Sequence, residues 1–212
     1  AGLKVALVEA GRAHTDDDYR EHRAPFELKF RNRVAAYLEQ TRPLQGRTGC
    51  DEYNQDWFVN DLEEPYTTGK GKPFMWIGRT RITGGRTNIW GRQSYRFSDL
   101  DFKAASHDGY GVDWPVGYKE IEPYYDLVDQ YVGISGRPEG LDELPDGNLQ
   151  PPMNMTCTET LLRNRVKEKL GWNVTIGRVA NITKPLNGRA PCHYCGPCQR
   201  GCATHSYFNS AF

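Results

Sequence analysis

The sequence of 212 residues lacks both a long apolar run and an excess of charge of either sign. Its 27 lysines and arginines balance its 27 aspartates and glutamates. Binding to nucleic-acid phosphates needs a basic excess or a basic face, so the charge balance argues against that class of partner. A membrane-spanning helix needs about 18 or more consecutive apolar residues. No such run is present, so we expect no direct membrane span in this sequence.

Apolar residues are also scarce, whereas the residues that favour turns are abundant. The apolar fraction is 38%, and the sequence has 22 glycines and 13 prolines. This composition predicts a loop-rich chain, in which a ligand, a metal or a missing partner orders the loops.

Periodicity predicts a mixed α/β chain. The run from Lys4 to Glu9 is continuously apolar rather than alternating, which is typical of a parallel strand buried on both faces. Helices are predicted over residues 26–40, 118–132 and 158–170, and one or two strands over 172–182. Thr158 is a candidate N-cap for the last helix, and Gly133 and Gly171 are well placed to end the last two helices.

The acid at the end of the first strand suggests a nucleotide site. A strand that ends in Glu9 and is followed by Gly11 fits the second strand of a dinucleotide-binding βαβ unit, in which the acid accepts hydrogen bonds from ribose. That unit needs a glycine-rich turn about 20 residues earlier. Eight residues precede Glu9, so this hypothesis predicts that the first βα unit is missing. A buried strand with a chance terminal glutamate is the alternative.

A second glycine-rich stretch lies at residues 78–91, GRTRITGGRTNIWG. Glycines such as Gly84 and Gly85 let the backbone approach a cofactor without an intervening Cβ. The simpler alternative is a tight turn in a surface hairpin, with Trp90 in the core.

Together with VALVEAG at residues 5–11, the stretches 54–68 (NQDWFVNDLEEPYTT), 78–91 and 114–125 (WPVGYKEIEPYY) resemble the glucose–methanol–choline (GMC) family of FAD-dependent oxidoreductases. The nearest branch is that of bacterial sugar dehydrogenases and pyranose-oxidase-like enzymes. The resemblance extends over essentially the whole chain. It implies an FAD/NAD(P)-binding Rossmann-like α/β fold, partial because its first βα unit is missing, with part of the GMC substrate or cap region.

The same resemblance implies a division of the chain. Residues 1–134 would form the partial FAD-binding domain, with a long lid-like loop at 13–73 and a flavin-contacting segment at 74–103. Residues 135–212 would continue the FAD and substrate region and include a cysteine-rich segment at 191–202.

The resemblance also implies cofactor contacts. They map onto Glu9, Gly11, Arg79, Gly84, Gly85, Arg86, Thr87, Asn88, Ile89 and Trp90. Thr87 and Asn88 would hydrogen-bond the phosphates or the flavin edge, and Arg79 or Arg86 would offset phosphate charge. Pyranose oxidases carry a histidine at the position of Ile89 and use it to bond the flavin covalently. We therefore expect non-covalent FAD.

The implied reaction is hydride transfer from an alcohol group of a sugar or polyol to the flavin. The family's catalytic histidine and its partner lie further downstream, so we assign a catalytic role to none of the five histidines here. An oxidase that reduces O₂, with structural cysteines, is the second enzyme hypothesis. A non-catalytic electron-transfer or zinc-binding module is the alternative from another class.

Four cysteines form a compact motif. Cys192, Cys195, Cys198 and Cys202 have the spacing C-x2-C-x2-C-x3-C, which is that of ferredoxin-type iron–sulfur ligation, although Ala203 replaces the usual proline. Structural zinc and two disulfides remain alternatives. The resemblance favours a [3Fe–4S] or [4Fe–4S] cluster that passes electrons to a cytochrome c or quinone, with a small subunit as partner and a periplasmic location.

Overall fold

The structure, a computed structural model, describes residues 2–212, and at position 35 the backbone alone. The chain forms two compact units. The first unit comprises residues 2–91, 194–203 and 209–212, and the second comprises 92–193 and 204–208. These bounds differ from the predicted division at residue 134, which stays a prediction; residue 1 of its first domain lies outside the described residues.

The α-helices within residues 2–212 are few and mostly short. They are α1 (Ala35–Thr41), α2 (Asp99–Phe102), α3 (Ala104–Asp108), α4 (Tyr118–Val132) and α5 (Cys157–Leu170). Strand pairing within residues 2–212 takes the form of isolated bridges. None of the helices in that range has the length and apolar character needed to cross a bilayer.

Helix α4 confirms the prediction for residues 118–132. Gly133 ends it in the left-handed region, with φ of 77°, and donates its N–H to Asp129 O at 2.9 Å. Burial raises the pKa of Asp129, although Arg96 donates to it at 2.6 and 3.2 Å. Arg96 also donates to Tyr118 Oη at 3.0 Å and to Asp126 Oδ1 at 2.5 Å, so its buried guanidinium ties three residues of α4 to the segment before α2.

Helix α5 begins one residue before the predicted bound, and its N-cap is Thr156 rather than Thr158. Thr156 Oγ1 accepts the N–H of Glu159 at 3.2 Å, and the Glu159 carboxylate accepts the N–H of Thr156 at 2.6 Å. This capping box needs an acid at the third helical position, which fits Thr156 and excludes Thr158. Gly171 ends the helix as predicted, with φ of 71°.

The predicted helix at 26–40 is wrong over most of its length, because helix forms only at α1. Arg31 and Asn32 have φ values of 52° and 58°, outside the helical region. The cause is a contact distant in sequence. The buried carboxylate of Glu52 accepts the N–H groups of Phe30 and Asn32, each at 2.8 Å, and holds this segment in a bend.

The predicted first strand, residues 4–9, has no strand assignment in the structure, and its apolar side chains are exposed. Leu7 and Val8 are 94% and 91% exposed, so the expectation that both faces are buried is wrong for the described chain. Pairing begins further along, where Arg12 forms a parallel bridge with Ile82. The residues of 2–212 supply no neighbouring strand to cover Leu7 and Val8, so the Rossmann-like fold stays a prediction. Residues 172–182 likewise pair through isolated bridges at Val179 and Asn181.

The core of the first unit is built largely by the long loop. Trp57 and Phe58 are buried together with Val34, Leu38, Cys50 and Ile82. Residues around Phe58 pair antiparallel with those around Thr80, and Ile82 also pairs with Arg12. The loop aromatics therefore order this part of the chain through packing, and they place the segment that leads into Gly84 at the centre of the unit.

Candidate cofactor-binding site

The two sequence segments predicted to bind the cofactor meet in the first unit. Thr83 donates to Arg12 O both from its N–H, at 2.8 Å, and from its hydroxyl, at 2.9 Å. A Cβ at Gly11 would lie 2.5 Å from the backbone of Ile82, closer than real Cβ atoms approach. Glycine at position 11 therefore allows this close approach.

Glu9 lies at the start of this junction. Its carboxylate accepts the N–H of Gly11 at 2.6 Å and is exposed. A carboxylate has about four acceptor positions, so one intramolecular bond orients Glu9 and leaves capacity for hydroxyl donors. This geometry suits the predicted contact with a ribose.

The second segment forms a tight turn, which we call the Gly84–Asn88 turn. Gly84 has φ of 83° and ψ of −11°, Gly85 has φ of 50°, and a short 3-10 helix runs over Gly85–Asn88. Gly85 N–H donates to Ile82 O at 2.8 Å, but within residues 2–212 the N–H groups of Gly84 and Arg86 donate to no acceptor. Neighbouring amides in left-handed turns form concave sites for anions.

Two side chains predicted to touch the cofactor form hydrogen bonds with the backbone of the turn. Asn88 is buried, and its Nδ2 donates to Thr83 O at 3.1 Å and to Gly85 O at 2.9 Å. Thr87 Oγ1 donates to Gly84 O at 2.5 Å. These side chains fix the shape of the backbone, so the groups left to face a ligand are mainly backbone amides.

The two candidate arginines differ in their surroundings. Arg79 donates to Glu64 O at 2.7 Å, and its guanidinium lies 4.9 Å from the centre of the Trp76 ring. Arg86 is exposed, and no carboxylate among residues 2–212 lies within ion-pair distance of it. Arg86 is therefore the better placed of the two to offset the charge of a bound anion.

Arg86 also lines a small cavity of about 210 Å³. Ile89 contributes to the same cavity, as do Thr48 and Asn54 of the long loop and Gln199 of the cysteine-rich segment. Ile89 packs partly against the core around Trp57, and Trp90 is half-buried. The cavity thus adjoins both the predicted flavin segment and the cysteine-rich segment.

The part of the cysteine-rich segment that belongs to the first unit is fixed by contacts that the sequence motifs did not identify. Asn54 Nδ2 donates to Gln199 O at 3.0 Å, and the guanidinium of Arg200 lies 3.7 Å from the ring centre of Tyr53. Glu21 accepts the N–H of Ala203 at 2.7 Å. Asn54 is the first residue of the NQDW motif. A contact between Asn54 and Gln199, which lie 145 residues apart in sequence, could not be predicted from that motif.

The four cysteines of the motif are divided between the two compact units. Cys192 belongs to the second unit, and Cys195, Cys198 and Cys202 belong to the first. Throughout residues 2–212, no group of three or more histidine, cysteine or acidic side chains is arranged to hold a metal ion. The assignment of the four cysteines as ligands therefore rests on their sequence spacing alone.

Cys50, another thiol of the first unit, lies in the core. Burial raises its pKa to about 12, although Arg42 opposes the shift. It is therefore protonated at neutral pH, which makes it unsuitable as a thiolate ligand or nucleophile.

Comparison with known proteins relates the chain to oxidoreductases. It is 31% identical over 139 residues to the fructose dehydrogenase large subunit of Gluconobacter japonicus, which is 64% of this chain and 25% of that protein. It is 28% identical over 196 residues to the 2-methyl-1,2-propanediol dehydrogenase of Mycolicibacterium austroafricanum, covering 89% of this chain and 31% of that protein. Paromamine 6'-oxidase of Streptomyces fradiae shares 35% identity over 80 residues, which is 36% of this chain and 14% of that protein.

This chain is similar to dehydrogenases and oxidases. It spans about a quarter to a third of the length of the two dehydrogenases. No protein-family model matches it.

Proposed function

We propose that this chain forms the FAD-contacting part of a GMC-type oxidoreductase that transfers hydride from the alcohol group of a sugar or polyol to flavin. The observation that carries the proposal is the meeting of the Glu9–Gly11 segment with the Gly84–Asn88 turn. One segment presents an oriented carboxylate, and the other presents two amides with no acceptor in the described chain. The named relatives, which are dehydrogenases and an oxidase, support the reaction class.

The residues present fit FAD. Glu9 would accept hydrogen bonds from the adenosine ribose. The N–H groups of Gly84 and Arg86 and the guanidinium of Arg86 would face the pyrophosphate. Ile89 offers no nucleophilic atom, in keeping with non-covalent binding. Bound FAD would supply the hydride acceptor, and this chain's residues would bind and orient it.

The catalytic base is expected from protein outside the described residues. His14 packs among Tyr19, Trp57 and Phe212, with ring centres 4.7–5.6 Å apart. This aromatic setting is that of a core residue, and we assign it no proton-transfer role.

The proposal extends to the electron acceptor. The cysteine spacing supports an iron–sulfur cluster held by Cys192, Cys195, Cys198 and Cys202, and zinc or disulfides are the competing states. One relative is named as the large subunit of a fructose dehydrogenase, which supports a small subunit and a cytochrome c or quinone as partners. Such a complex would suit the periplasm.

A second candidate is an oxidase that returns electrons to O₂. Two relatives from Streptomyces are named as oxidases, the paromamine 6'-oxidase and a hydroxyparomomycin C oxidase. The cysteines would then be structural. The Gly84–Asn88 turn argues against a non-catalytic module that binds no flavin. Its Gly84 and Arg86 N–H groups have no acceptor within residues 2–212, and an anionic ligand would supply one.

The test uses the full-length protein under anaerobic conditions. We expect fructose, other polyols or small diols to bleach the visible flavin absorbance, and an artificial one-electron acceptor to restore it. Rapid restoration by O₂ with stoichiometric hydrogen peroxide would favour the oxidase instead. A full-length protein whose flavin no alcohol reduces would contradict the proposed reaction.

A further inference from the structure

The Gly84–Asn88 turn is held from outside by residues near the end of the chain. Asn209 Nδ2 donates to Asn88 Oδ1 at 2.5 Å. Asn209 and Asn88 are 5% and 0% exposed, so water does not compete for this bond. A buried amide pair of this kind is costly to break, because each partner left alone keeps its desolvation penalty.

A second contact secures the neighbouring residue of the turn. Ser210 N–H donates to Thr87 Oγ1 at 3.0 Å, and the two hydroxyl oxygens of Ser210 and Thr87 are also 3.0 Å apart. Thr87 in turn donates to Gly84 O. Asn209 and Ser210 therefore act on the two side chains that shape the turn, and we call these two residues the clamp.

The clamp and the turn also fit each other sterically. A Cβ at Gly84 would lie 2.6 Å from Asn209 Oδ1 and 2.9 Å from Ala211 N. That oxygen is fixed, because it accepts the N–H of Ala211 at 2.9 Å. Glycine at position 84 is thus required both by its left-handed backbone and by the proximity of Asn209.

A chain of bonds links Asn209 to the backbone that faces the ligand. Asn209 fixes the oxygen of the Asn88 amide, and the nitrogen of the same amide holds Thr83 O and Gly85 O. Thr83 O shares one planar peptide unit with the Gly84 N–H, and Gly85 O shares another with the Arg86 N–H. The directions of the Gly84 and Arg86 amides therefore depend on Asn209, although its side chain bonds to neither of them.

We propose that Asn209 is a positioning residue for the phosphates of the cofactor, acting through Asn88 and assisted by Ser210. The inference rests on the proposed function, in which the turn binds FAD. Preorganised donors bind an anion more tightly than mobile ones, because the cost of ordering them has been met during folding. Loss of the clamp should therefore weaken FAD binding by more than the general loss of stability would.

The experiment is a double-mutant cycle in the full-length protein. The variants are Asn209→Ala, Asn88→Ala and the combination, and the readouts are the FAD dissociation constant, the flavin absorption spectrum and the thermal unfolding of the apoprotein. We expect each single variant to weaken FAD binding about tenfold, which corresponds to one net hydrogen bond. The double variant should bind FAD about as weakly as either single variant, since each single variant already removes the bond between Asn209 and Asn88.

Glu52→Ala is the matched control. Glu52 is also buried, and it accepts two backbone N–H groups in the same unit, but it makes no bond with the turn within residues 2–212. We expect this variant to lower the unfolding temperature while its FAD affinity stays within about twofold of the wild type. Asn209→Asp is the second variant if Asn209→Ala fails to fold. It keeps the size and the acceptor for Ala211 but sets an oxygen against Asn88 Oδ1, so it should also lose affinity.

The outcomes separate the inference from the proposed function. If Asn209→Ala and Glu52→Ala change FAD affinity equally at equal loss of stability, the clamp is only structural and the inference is overturned. The same holds if the effects of Asn88→Ala and Asn209→Ala multiply. If the wild-type protein has no affinity for FAD, the proposed function and the inference are both overturned.

Discussion

At the residue scale, we propose that Arg86 supplies the positive charge at the candidate site. Its guanidinium lines the small cavity beside the turn, while Arg79 is engaged with Glu64 O and Trp76. A hydrogen bond to a charged group contributes about 1.5–3 kcal/mol, whereas an exposed arginine without an anionic partner contributes little to folding. Arg86 should therefore matter more for ligand affinity than for stability.

Replacing Arg86 by glutamine tests this assignment. We expect Arg86→Gln to weaken FAD binding at least tenfold in the full-length protein, with little change in the unfolding temperature of the apoprotein. The affinity of the wild type should fall with added salt more steeply than that of the variant. Arg47→Gln is the control, because Arg47 is an exposed arginine of the same unit whose side chain contacts Met75. Equal affinities for Arg86→Gln and Arg47→Gln would remove Arg86 from the site.

The backbone shape of the Gly84–Asn88 turn was easier to predict from the sequence than the hydrogen bonds of its side chains. Two glycines in sequence indicated a close backbone approach, and the structure has both at positive φ. The uses of Thr87 and Asn88 were not predictable, because their partners Ser210 and Asn209 lie more than 120 residues away in sequence. Side-chain amides and hydroxyls can hydrogen-bond either to the backbone of a turn or to a ligand, so the sequence alone does not distinguish these two roles.

At the element scale, local signals predicted helices α4 and α5 but failed for residues 26–40. The two long helices have terminal glycines and, for α5, a capping box, all of which are encoded within a few residues. The failed helix has an apolar pattern, but Glu52 binds two of its amides from 20 and 22 residues away. Hydrophobic periodicity is assessed over about 11–18 neighbouring residues, so it does not detect a contact between residues 20 or more positions apart.

The cysteine-rich segment is the element with the sharpest chemical prediction. We expect the full-length protein to contain three or four iron atoms per chain and to give an EPR signal in one redox state. Serine in place of Cys195 or Cys198 should remove most of the iron, whereas serine in place of Cys50 should not, since its buried thiol is protonated. Stoichiometric zinc without iron would support the structural metal instead. Protein free of both metals would support disulfides or thiols.

At the scale of the whole molecule, the described residues do not form the sheet that the resemblance implies. Leu7 and Val8 are almost fully exposed. Exposure of apolar side chains to water is unfavourable, and in a strand such side chains are usually buried. Fully burying such a side chain stabilises a fold by roughly 1.5–3 kcal/mol, so these residues have much to gain from a neighbouring strand. The relatives are three to four times longer than the matched region, which leaves room for such strands in related proteins.

We propose that this chain holds FAD without a covalent bond, through Glu9 and the Gly84–Asn88 turn. The most direct measurement is acid precipitation of the purified full-length protein, followed by quantification of flavin in the supernatant and in the pellet. We expect about one FAD per chain, all of it in the supernatant, because Ile89 provides no atom for a covalent link. Flavin that precipitates with the protein would contradict non-covalent binding, and protein without any flavin would contradict the account as a whole.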